Sequence, residues 1–184
     1  MARTVSSGII GGGIAAVVMG LFAMIAAATY QGTGFFTPMY HIASTFIEPT
    51  AMMASMERAG TEQLFYFSAG PALVGMLVHL ATGAIYGVVF ALLARAARLH
   101  GVVTVVAGAV FGIAAMLFSS LVGLPLAASL FGGGEPISEM PTMVGWSTFT
   151  VEHLIFGIVL GIWVAMRPQD VATDLQTPME PRIP

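Results

Sequence analysis

The chain has 184 residues, of which 57% are hydrophobic and only 8% charged, with a mean hydropathy of +0.91. An ordinary soluble domain carries about 25% charged residues, so this chain has too little charge to coat a water-exposed surface, which excludes a soluble enzyme, a nucleic-acid binder and a disordered tail protein. The net charge of −3 implies no nucleic-acid partner, and the absence of Cys removes disulfides, thiolate metal sites and iron–sulfur clusters. What remains is an all-α integral membrane protein with the lipid bilayer as its first partner.

Four apolar runs are long enough to cross a bilayer, which takes roughly 20 residues: 8–30, 71–94, 101–124 and 144–166. None contains Lys, Arg or Asp, and only the fourth contains an acid, Glu152. Arg3 and the alanines at 26–28 give the first run the look of a secretory signal. Its apolar stretch exceeds the roughly 7–15 residues of such signals, so it is read as a retained span.

Between the first two spans lies a long loop, 31–70, that is not a polar linker. Thr37-Pro38 reads as an N-cap followed by a first-turn proline, and Pro49 starts a second short helix ending near Gly60. Both segments are rich in Met and aromatic residues and too short to span, which predicts interfacial helices. Thr61 is expected to cap the run 62–67, which continues into the second span through a kink at Pro71. The third loop is shorter, broken by the glycines at 132–134 and by Pro136. The tail, 168–184, has four prolines and no apolar periodicity.

Arginine placement gives the orientation. Arg3, Arg95, Arg98 and Arg167 fall on one side of a four-span chain; the other side holds Arg58 among Glu48, Glu57, Glu62, Glu135 and Glu139. Both termini are therefore expected in the cytoplasm of a bacterial or archaeal cell, with the tail on the same side.

The chain contains the same hairpin twice, 1–98 and 99–167. Residues 79–87 (HLATGAIYG) and 153–161 (HLIFGIVLG) both fit H-L-x-x-G-x-x-x-G. A shorter match, Gly-Ile-Ala-Ala at 13–16 and 112–115, relates the first and third spans. Equal orientation of the halves predicts a pseudo-two-fold axis along the membrane normal. Gly12, Ala16 and Gly20 in the first span, and Gly108 and Gly112 in the third, form small-residue stripes that let a neighbouring backbone approach. The expected fold is four transmembrane helices as two parallel-repeat hairpins, the first carrying the long loop. Small-residue first helices, a second helix with mid-span His-Leu and spaced glycines, and a last helix of H-L-I-F-G type resemble a group of small four-helix bacterial inner-membrane proteins of unknown function, the YagU-like group. That resemblance covers the four spans, supports the topology and implies no chemistry.

His79, Glu152 and His153 are the strongly polar ionisable side chains within the spans, and such residues are functional hypotheses because they are costly in lipid. Three readings compete. The His pair, with Glu152 near, forms structural hydrogen bonds between helices. Alternatively His79 and His153 ligate a haem b, the glycines Gly75 and Gly83 leaving His79 a flat face for the macrocycle. A third reading is copper, held in the outer loops by His41 and Met39, by Met52, Met53 and Met56, and by Met140 and Met143; Met in such segments is more often apolar filler. No catalytic constellation emerges, and a transporter lacks broken helices at the midplane of both repeats. The functional expectation is a non-catalytic accessory subunit of a larger membrane complex, of respiratory, photosynthetic or membrane-oxygenase type, with other integral membrane subunits and bound lipid as partners.

Overall fold

A computed structural model describes residues 1–167; the tail predicted at 168–184 lies outside the described residues. The described chain is all-α. It comprises α1 (Ala2–Ala28), α2 (Thr37–Ala43), α3 (Thr50–Ala59), α4 (Ala69–Ala96), α5 (Gly101–Phe118), α6 (Leu124–Phe131), α7 (Gly134–Ser138), α8 (Met140–Val144) and α9 (Trp146–Ala165). A π-helical turn, Ser119–Gly123, joins α5 to α6. Four stretches are long and apolar enough to cross a membrane: Ala2–Ala28, Ala69–Ala96, Gly101–Phe131 and Trp146–Ala165.

Glycine seams join the spans in pairs. A Cβ on Gly12 would overlap the Gly83 carbonyl and lie 2.9 Å from the Cα of Gly87. A Cβ on Gly83 would lie 2.6 Å from that of Ala16, and one on Gly87 would meet the Gly8 carbonyl. The second hairpin repeats this: Gly108 lies on Gly157 and Gly161, and Gly112 on the His153 carbonyl and Gly157. In lipid no hydrophobic force drives one apolar helix onto another, so close backbone approach and its dispersion contacts carry the association. The seams correct the register of the repeat. The Gly-Ile-Ala-Ala match pairs Gly13 with Gly112, whereas the packing makes Ala16 the counterpart of Gly112 and Gly12 that of Gly108; a Cβ on Gly13 meets nothing within 4 Å.

The two-fold relation is broken where the hairpins meet. The α1–α9 contact is intimate: the Trp163 ring covers Gly11, its Nε1–H donates to the Ser7 carbonyl at 3.0 Å, and Ala15, Phe156 and Leu160 share a buried cluster. At the counterpart contact, α4 and α5 meet through Tyr86–Phe111 and Phe90–Phe111, with ring centroids 6.3 and 5.2 Å apart. Sequence explains the difference. In the register of the repeat Trp163 corresponds to Val89 and Gly11 to Ala107, so α4 has no indole to seat and α5 no glycine to seat it on.

The third span runs on past its expected end at 124. Pro125 has no N–H to donate and its ring crowds the preceding turn. The turn Ser119–Gly123 widens immediately before it, which lets the helix continue to Phe131. The Tyr86 and Ser119 hydroxyls pair at 2.8 Å beside this widening, and the Ser120 hydroxyl donates to the Met116 carbonyl at 2.9 Å. Gly132, at φ +78°, then ends α6 in the left-handed conformation that glycine adopts without a Cβ clash.

A cap closes one end of the bundle, built from α2, α3, α7, α8 and the loop segments between them. Thr37 is the first residue of α2, not its cap; its hydroxyl donates to the Thr33 carbonyl and pairs with the Ser55 hydroxyl at 2.8 Å. Residues 62–67 are not helical, contrary to the sequence expectation. They form turns and irregular chain, held in part by α2: the Tyr40 hydroxyl donates to the Tyr66 carbonyl at 2.9 Å and accepts the Ser68 N–H at 2.7 Å. The Phe35 N–H donates to the Leu64 carbonyl at 2.8 Å. Pro71 consequently sits in the first turn of α4, where its missing N–H costs nothing, and causes no kink. The short helices α7 and α8 fill the third loop, where the sequence suggested only breakers.

Candidate functional site

His79 lies on α4 facing α1. Its Nε2–H donates to the Ala16 carbonyl at 2.9 Å, a bond between helices of the kind the structural reading expects. Gly20, one turn further along α1, leaves room for the ring: a Cβ there would lie 3.3 Å from Nε2. His153, the repeat counterpart, bonds differently. Its Nδ1–H donates to the Phe149 carbonyl of its own helix at 2.8 Å, and its ring leans on Phe149 with centroids 4.4 Å apart. The register of the seams explains why. The counterpart of Gly20 on α5 is Met116, a buried side chain where the first hairpin has open space. No hydrogen bond joins the two imidazoles.

Glu152 is 6% exposed. Among the described residues its carboxyl group has neither a hydrogen bond nor an ion pair. It lies on the face of α9 that α1 covers, between Thr148 one turn towards the cap and Trp163 three turns away from it. Thr148 Oγ1 and the Tyr30 hydroxyl pair at 3.1 Å, and Gln31 Nε2–H donates to the Val144 carbonyl at 2.7 Å. Nothing in the sequence marks Tyr30, Gln31 and Thr148 as a cluster, because their partners lie more than a hundred residues away.

The haem reading fails on geometry. Gly75 is filled by the Met39 backbone and Gly83 by Ala16 and the Gly12 backbone. The small residues that would have made a flat face beside His79 are consumed in helix packing, and His79 itself is turned onto Ala16.

The copper candidates do not converge. His41 points towards α7, where Nε2–H donates to the Pro136 carbonyl at 2.5 Å. Met39, two residues earlier and on the other face of α2, sends its methyl group to Gly20 beside His79. Met52 is buried with Tyr40, Ala51 and Ala72, while Met53 and Met56 are exposed. Met140 packs with Met116, Ile137 and Phe149, and Met143 is exposed. Among the described residues no group of three or more His, Asp or Glu could hold a metal.

His41 is therefore a strut of the cap. Burial holds its imidazole below the usual 6.5, opposed in part by the bond to Pro136. The folded state thus binds this proton more weakly than the unfolded state. Its contribution is full above the unfolded value and is lost as pH falls through the lower folded one. Protease resistance of the cap is expected to decline as pH falls below the ordinary imidazole value of about 6.5, and His41→Gln is expected to flatten that decline. An equal decline in the variant would assign the acid sensitivity to another group.

The opposite end gathers Arg3, Arg95, Arg98 and Arg167. Arg95 Nη1–H donates to Thr4 Oγ1 at 3.0 Å, and the Arg167 guanidinium lies 4.1 Å from the Trp163 ring centroid. The start of α1 and the ends of α4 and α9 thus meet at one end, away from the cap. No protein-family model, curated protein or solved structure matches the chain.

Proposed function

We propose that this multi-pass membrane protein is a non-catalytic accessory subunit that stabilises a larger integral membrane assembly, of respiratory, photosynthetic or membrane-oxygenase type. The observation that carries the reading is the surface of the cap. Phe35, Phe36, Phe65 and Phe67 form a chain of touching rings, Phe35–Phe65 at 5.3 Å and Phe36–Phe67 at 4.9 Å. Phe65 and Phe67 are 70% and 60% exposed. Phe46 and Phe131 add a second exposed pair at 4.7 Å. The Tyr40, Thr37 and His41 bonds hold these rings in place, and a contiguous apolar patch on an ordered segment is a feature of contact surfaces. The bundle interior, by contrast, is spent on helix-to-helix packing.

The arginine end supports an orientation with both termini in the cytoplasm of a bacterial or archaeal cell and the cap outside. The YagU-like resemblance, proposed on the same spans, agrees with this topology. The test is co-purification from the native membrane. Phe65→Ser with Phe67→Ser is expected to leave the chain inserted and to strip it of its partner polypeptides. Unchanged association in the double variant would remove the cap from the interface and the reading with it.

A further inference from the structure

We propose that Glu152 is a proton-binding site, loaded from the cap end of the bundle through the paired hydroxyls of Tyr30 and Thr148. The residue is 6% exposed and its carboxyl group is, among the described residues, unpartnered. A carboxylate with neither donor nor counter-charge is costly in a medium that excludes water, and a bound proton removes the charge. Access runs one way. Tyr30 is 65% exposed at the cap end, its hydroxyl is 3.1 Å from Thr148 Oγ1, and Glu152 follows Thr148 by one helical turn on the same face. Away from the cap the path stops: α1 has no polar side chain from Ile9 to Ala28. The site therefore takes up a proton and returns it to the same side.

The neighbours favour a proton over a metal ion. Sodium, magnesium and calcium need several oxygen ligands, and Glu152 is a single carboxylate. His153 is committed to Phe149 and His79 to Ala16. Between Arg3 and Tyr30 α1 carries no titratable group, and α5 carries none. In the cap, His41 is bound to Pro136 and Arg58 lies over Tyr66.

Labelling with dicyclohexylcarbodiimide tests this, because that apolar reagent attacks protonated carboxyls in lipid-like surroundings. With the full chain in native membrane vesicles, mass spectrometry is expected to find the adduct on Glu152 ahead of Glu48, Glu57 and Glu62. Its yield is expected to fall about tenfold per unit of cap-side pH above the titration point. Thr148→Val is expected to slow the response to a cap-side pH jump without changing its end point. Absence of label on Glu152 at acid pH, or a yield indifferent to pH, would overturn the proposal. Protection by sodium at constant pH would replace the proton by a metal ion and would also overturn it. As a second readout, the infrared carbonyl band of a protonated carboxyl is expected to vanish in Glu152→Gln. Its persistence there would assign the proton elsewhere.

Discussion

Gly12→Leu is expected to prevent the first hairpin from closing, and Gly108→Leu the second. At both positions the obstacle is backbone, the Gly83 and Gly157 carbonyls, which cannot swing aside as a flexible side chain does. Overpacking a tight site costs about 1–3 kcal/mol where side chains yield, and more where they do not. Against a total stability of about 5–15 kcal/mol, a loss of about 3 kcal/mol or more leaves little folded bundle at growth temperature. Gly13→Ala is the matched control one residue away. With open space around it, the substitution is expected to be neutral or to stabilise by up to about 1 kcal/mol through helix propensity. Thermal unfolding of the three variants in mild detergent reads the contrast. A Gly12→Leu midpoint equal to that of the parent would refute the seam.

Gly75→Leu is expected to unseat the cap while leaving the helix pairs intact. The Met39 backbone lies directly against Gly75, so a side chain there displaces α2 from α4. With α2 go the Tyr40 bonds to residues 66 and 68, the Thr37–Ser55 bond and the His41 strut. Limited proteolysis is expected to cut the variant within the first long loop many times faster than the parent, with α5 and α9 still protected. Equal cleavage rates would show that α2 is held by contacts other than this one.

Much of this architecture is legible in the residues, and the reasons differ by element. Spans follow from length and apolarity, because lipid tolerates few other solutions. The repeat follows from His79 and His153 with their following glycines, since side chains four apart share one face of a helix. Two features are not legible. The register of Gly12 against Gly108 depends on which backbone meets which, and a four-residue identity at 13–16 pointed elsewhere. The non-helical run 62–67 has a helix-compatible sequence, but the Tyr40 hydroxyl and the Phe35 N–H compete successfully for its backbone groups.

The candidate site divides in the same way. Burial of Glu152 and His153 and partial burial of His79 within the spans are predictable from their apolar surroundings. Their separate fates are not. His79 reaches α1 because Gly20 admits it; His153 meets Met116 in the corresponding place and folds back on Phe149. Glu152 gains meaning from Tyr30 and Thr148, whose pairing is a product of the tight α1–α9 contact. That contact rests on Trp163 over Gly11, a pair the repeat pattern does not contain.

The mass of the native particle tests most directly whether the chain works inside a larger assembly, as proposed. Extracted from its own membrane in mild detergent, the 19.1 kDa chain is expected to travel in a particle several times heavier, with other membrane polypeptides in fixed ratio. A monomer or homodimer free of other polypeptides would contradict the account.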